Sequence, residues 1–208
     1  FNRAYARDRG YRIAHHGEAI ADPTGYGAEA RVIPPPPGDA GAVPVYEQGD
    51  LTVSVFLVDH APVAPAYGYR VNWRDRSVVV SGDTVYSDNL VEAARGADLL
   101  LHEALSPAMV RTLRDALSRE GAANTARIMD DILDYHASPV DAARAADAAG
   151  VGALVLYHLV PLLPGAYLES AFLGEAPDHF DGPLRVGVDG LRVTLPAGSD
   201  AIEFDELL

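Results

Sequence analysis

The chain has 208 residues, 49% of them hydrophobic, enough for one sizeable core. Its formal net charge is −14 and all 16 cationic side chains are Arg. A surface this acidic repels phosphate backbones and argues against general nucleic-acid binding, though not against a small anionic substrate beside bound metals. No apolar run reaches the ~20 residues of a membrane span, and the absence of cysteine excludes disulfides and thiolate ligands. Any transition metal must therefore be held by His and carboxylates.

Residues 1–16 read as a short polar helix ending in His15-His16, with Gly17 as its C-cap. Residues 21–49 are rich in Gly and Pro, including Pro34-Pro35-Pro36-Pro37, and read as a loop with polyproline character. Strands are expected over 51–58, 67–73 and 77–81, the last two forming a hairpin around Arg74-Asp75-Arg76. A helix over 88–96, a strand over 98–102 and helices over 106–121 and 123–133 come next. Ser138 caps a helix over 139–149 with Pro139 at its first position; Gly150 ends it and a strand over 153–157 follows. The tail holds two β stretches, 184–188 and 191–195, which Asp189-Gly190 is expected to join as a hairpin. Strand and helix alternate through the middle, so one domain over 1–208 with helices packed on a sheet is expected.

Two strand ends carry the chemistry. Ser77-Val78-Val79-Val80 runs into Ser81-Gly82-Asp83-Thr84, and Leu154-Val155-Leu156-Tyr157 runs into His158. An Asp that can bridge two cations and a His that closes one coordination sphere are what a hydrolytic metal site needs. Gly82 lets the backbone turn tightly beside Asp83. Thr84 can bond the Asp83 carboxylate or cap the following turn, and Gly68, between Tyr67 and Tyr69, suits a close backbone approach. His136, after Asp134-Tyr135 at a helix start, could give a proton to a leaving group. His102-Glu103 ends another strand as an orienting pair. His60 ends the 51–58 strand. The neighbouring side chains of His15 and His16 are expected to diverge, leaving one as a ligand. His179, among polar residues, reads as surface. The loops at 21–49 and 160–182 are candidate cleft walls, with Tyr167 and Phe172 offering apolar contact.

His15-His16-Gly17, Asp59-His60 followed by Gly68-Tyr69-Arg70, Ser81-Gly82-Asp83-Thr84, Leu101-His102-Glu103-Ala104, Tyr135-His136-Ala137-Ser138-Pro139 and Tyr157-His158 form an ordered set. It resembles the C-terminal half to two-thirds of metallo-β-lactamase-fold hydrolases, in their ribonuclease Z and arylsulfatase-like branch. The resemblance covers roughly residues 10–165. It implies an α/β fold, an αββα sandwich of two mixed sheets with helices outside. It implies two zinc ions, or failing that manganese or iron. Asp83 would bridge the two, His158 would bind the second, and His15 or His16 the first. Glu103 and His136 would assist proton transfer to the leaving group. His60 and Tyr69 fall in a family segment that lines the cleft, so they are assigned to substrate binding.

The family's first motif, His-x-His-x-Asp-His, does not occur in the chain. The sequence is accordingly expected to be N-terminally incomplete and inactive alone, and Phe1 in place of Met leaves an upstream signal peptide open. Cytoplasmic residence and a homodimer fit the resemblance. The reading that follows is a zinc-dependent hydrolase of a phosphodiester, sulfate ester or related small ester, acting through a metal-bound hydroxide. The short Val71–Val80 stretch and the acidic charge place small esters ahead of transfer RNA. The alternatives are a ribonuclease Z-like endonuclease processing tRNA 3′ ends, a metal-free binding module, and an iron-using relative.

Overall fold

The structure, a computed structural model, describes residues 3–23, 30–37 and 41–208. It divides into two compact units, Phe1–Pro34 and Pro35–Leu208. In the first, helix α1 (Ala6–His16) stops where expected: Gly17 takes φ 78°, and its N–H reaches the Ile13 carbonyl at 2.8 Å. The rings of His15 and His16 do not diverge; they meet edge to face, 4.5 Å between centroids.

The second unit is built on a seven-stranded sheet whose spatial order follows chain order: β1 (Val43–Gln48), β2 (Leu51–His60), β3 (Val63–Trp73), β4 (Arg76–Val80), β5 (Leu99–Leu105), β6 (Ala153–Val160) and β7 (Leu184–Val186). The first four pair antiparallel and the last four run parallel. Composition explains the switch. The central strands β5 and β6 are apolar on both faces, as in Leu99-Leu100-Leu101, and parallel strands are buried on both sides. Helices α2 (Asp88–Ala94) and α5 (Pro139–Ala149) pack on one face, where Leu90 and the alanines of α5 meet Phe56, Val79, Leu100, Leu154 and Leu156. Alanine lets the α5 backbone come close to the sheet. Its start is fixed by a capping box between Ser138 and Asp141. On the other face Leu99, Ala153 and Val155 are covered by a two-stranded sheet, β8 (Leu191–Thr194) with β9 (Glu203–Glu206). Helices α3 (Pro107–Arg119), α4 (Ala123–Asp131) and the short α6 (Glu169–Leu173) complete the fold. Among the described residues no helix is long and apolar enough to cross a membrane.

Three expectations are corrected. The segment read as loop over 21–49 ends in strand β1, which lies at the edge of the sheet with mostly exposed residues; calls on 24–29 and 38–40 fall outside the described residues. The hairpin expected across Asp189-Gly190 does not form. A turn is made there, with Gly190 at φ 86°, but β7 pairs in parallel with β6 and β8 pairs with β9. An edge of apolar β6 left unpaired would expose its backbone groups, a larger cost than one local turn saves. Phe172, read as cleft wall, is buried in the core, whereas Tyr167 is exposed.

Candidate metal centre

The C-terminal ends of β4, β5 and β6 lie side by side, the edge at which ligands collect in parallel sheets. Each end departs from regular strand. After β4, Ser81 still bonds the β5 ladder through its N–H to the Leu101 carbonyl at 2.9 Å. Its hydroxyl then takes over: it accepts from the Glu103 N–H at 3.0 Å and donates to the Gly82 carbonyl at 2.6 Å. Gly82 sits at φ 66°, and a Cβ there would overlap the Tyr67 carbonyl. Glycine is therefore required, and the turn it allows presents Asp83. Gly68 is required too, since a side chain would strike the Phe56 ring.

On β6 the pairing with β5 slips between Tyr157 and Leu159, so His158 is the extra residue of a β-bulge. It adopts φ 46°, rare for a residue with a side chain. Bulges re-aim side chains, and this one brings His158 Nε2 to 3.9 Å from Asp83 Oδ2. At the end of β2 a second slip, between Val58 and His60, precedes the turn into β3. There His60 Nδ1 donates to the Tyr135 carbonyl at 2.8 Å, which leaves Nε2 with its lone pair free to bind.

Glu103, fully buried at the end of β5, gathers three donors on one oxygen. Oε1 accepts from His136 Nδ1 at 2.9 Å, from the Ala137 N–H at 3.1 Å and from the Thr84 N–H at 3.2 Å. A carboxylate only accepts, so the His136 proton on this side is on Nδ1. The same bond raises the His136 pKa above the ordinary imidazole value, against the opposing pull of burial. Thr84 bonds neither Asp83 nor the following turn's amides. Its hydroxyl accepts from the Asp59 N–H and donates to the Val85 carbonyl, tying the Asp83 loop to the end of β2. His102 does not pair with the Glu103 carboxylate either; its Nδ1 donates to the Glu103 carbonyl at 2.7 Å.

The result is a cluster from five chain positions. Ligand atoms of His60, Asp83 and His136 all lie within 4.8 Å of one another, as do those of Glu103, His136 and His158. The His136 ring stacks on His158 at 5.6 Å and meets His60 at 5.2 Å. Imidazoles and carboxylates are the ligands that divalent zinc, manganese and iron share, so the donor set fits such a cation. Asp83, His158, Glu103 and His136 thus come together as the sequence suggested. His60, which the sequence reading assigned to substrate binding, lies beside them. A histidine whose Nδ1 is bonded to a backbone carbonyl has no signal in sequence. His15 and His16 lie in the other unit. Tyr69 pairs with Val55 and Val80 inside the sheet. Arg70, from the same segment, does not line the cleft; it donates to the Ala93 and Arg95 carbonyls and caps α2. Tyr157, given no role in sequence, is half-buried at the end of β6, and burial raises its pKa.

A family described as "Beta-lactamase superfamily domain" matches residues 4–159. Ribonuclease Z of Mycobacterium tuberculosis (strain H37Rv) is 35% identical over 191 residues, 92% of this chain and 62% of that protein. Ribonuclease Z of Mycolicibacterium paratuberculosis is 36% identical over 196 residues, 94% of this chain and 62% of that protein. The chain thus spans less than two thirds of the length of these relatives. Among solved structures, the metallo-beta-lactamase fold protein YhfI from Bacillus subtilis is 25% identical with a TM-score of 0.49, covering 69% of this chain and 49% of that one.

Proposed function

The chain belongs to the beta-lactamase superfamily, and from that premise we propose that the whole protein is a metal-dependent phosphodiesterase of ribonuclease Z type, cutting RNA near the 3′ end of transfer RNA. The observation that carries the chemistry is the Glu103–His136 bond at the edge of the His–Asp cluster. The ribonuclease Z relatives support RNA as substrate over the small esters favoured by the short Val71–Val80 stretch and the acidic charge. Net charge governs diffuse attraction and does not decide what a local, metal-lined site accepts.

His60, Asp83 and His158 are the residues of the second unit that would hold the cations; His15 or His16 would contribute only as the family resemblance implies. When bound, such cations supply charge stabilisation at the phosphoryl group and an activated water at neutral pH. Everything else falls to side chains. Glu103 fixes the His136 ring through Nδ1 and keeps the imidazolium form available. His136 Nε2–H then delivers its proton to the departing ribose oxygen. The Ala137 and Thr84 amides anchor Glu103, so the pair cannot rotate away. A module that only binds has no use for a buried carboxylate holding an imidazole in this position.

The test uses the full-length protein and two substrates. On RNA, whose leaving alkoxide needs a proton, His136→Ala should lower kcat/KM by ~10²-fold or more. On bis(p-nitrophenyl) phosphate, whose leaving group departs unprotonated, the loss should be ~10-fold or less. Equal losses on both would remove the acid role, and a native protein that leaves RNA intact would remove the ribonuclease reading.

A further inference from the structure

Beside His60 an open cleft of about 590 Å³ lies between the β2–β3 turn and the segment that follows α4. Its size is that of a small-molecule site. Pro62 and Val63 form an apolar side, Tyr135 an aromatic one, and Asp131 and Asp134 an acidic one. Tyr135 is held in place by its neighbours: its ring meets the His60 ring edge to face at 5.1 Å, and its carbonyl takes the His60 proton. Helix α4 ends at Asp131, so the negative end of the helix adds to the two carboxylates.

We propose that this cleft seats a nucleobase next to the scissile phosphodiester and selects bases that carry an exocyclic amino group. The inference rests on the RNA reading above. Three features select the occupant. The cleft opens directly off His60, so whatever fills it belongs to the nucleotide beside the cluster. A second phosphate is refused there, because two carboxylates and a helix C-terminus repel it. A planar base is welcomed by Tyr135 and the apolar wall, since stacking on an aromatic ring is available to every base. Discrimination then comes from Asp131 and Asp134, which only accept hydrogen bonds. Cytosine, adenine and guanine can donate an amino N–H to them, whereas uracil has no amino group and offers only its ring N3–H between two carbonyl oxygens that the carboxylates repel.

The measurement is titration of this chain with neutral nucleosides, followed by NMR, so that neither metal nor cleavage enters. Cytidine should bind about fivefold tighter than uridine, the size of one hydrogen bond. Asp131→Asn with Asp134→Asn should erase the difference, because the amides can donate to uridine as well as accept. Both carboxylates are exposed, so the double variant keeps the fold. Tyr135→Ala should weaken cytidine and uridine alike. Equal binding of the two nucleosides, no binding of either, or a preference that survives in the double variant overturns the proposal. RNA cleavage by the full-length protein is a separate readout: if it persists while nucleoside preference is absent, this assignment fails and the ribonuclease reading stands.

Discussion

At the scale of single residues, the chain spends backbone and burial energy to hold a few groups in one place. His158 occupies a conformation that costs ~1–3 kcal/mol for a residue with a side chain. His102 is buried completely, and desolvation pushes its pKa below the ordinary value near 6.5, more than its bond to the Glu103 carbonyl and the nearby Asp141 restore. The folded chain therefore keeps His102 neutral where the unfolded chain would take up a proton. Stability is unaffected above about pH 6.5 and falls as pH drops below it, until the folded pKa is reached. Asn can replace the Nδ1–H donor without titrating. The Tm of the native chain should fall more steeply than that of His102→Asn between about pH 7 and about pH 5; parallel curves would show that His102 does not set the acid limit. Residue identity exposed Asp83, Glu103 and His158 in the sequence because each sits at the end of an apolar run, and His136 because it precedes a helix start. His60 was visible by the same sign but its role was not, because the Tyr135 carbonyl that orients it is 75 positions away.

Elements were legible where periodicity was strong. The apolar runs of β2, β4, β5 and β6 and the Ser138 cap of α5 stand in the sequence within a few residues of their observed limits. β1 was hidden because its half-exposed Val-Pro-Val-Tyr carries no alternation, and the β6 bulge because an extra residue leaves no mark on composition. The β8–β9 sheet depends on an anchor no local pattern shows. Arg76, 5% exposed, spans from β4 to the segment before β9, donating to the Ser199 carbonyl and, at 2.9 Å, to the Ala201 carbonyl. It also pairs with Asp98 at 3.2 Å, and Asp98 in turn accepts from the Ser77 N–H. Arg76→Met keeps the apolar stem but strands two carbonyls and a carboxylate. Unfolding free energy should drop by about 3 kcal/mol in urea titration. A change below ~1 kcal/mol would mean that water satisfies these groups and the segment is not clamped.

For the molecule as a whole, chain order and sheet order coincide from β1 to β7. Each strand finds its partner already next to it, and the one long excursion, through α3, α4 and α5, lies between β5 and β6. Such a sheet can be laid down from one edge while the polypeptide is still being made, at ~5–20 residues per second. His60, Asp83 and Glu103 would then be in place before His136 arrives, and His158 would close the cluster last. Arrested nascent chains should show β2–β4 protected from protease once β5 has left the ribosome, with affinity for divalent cations rising only when β6 has followed; cation capture before that point would contradict the order. Synthesis itself thus delays the arming of the centre: the half-made protein carries its fold before it carries its reactivity, and the bulge that aims His158 acts as the final latch.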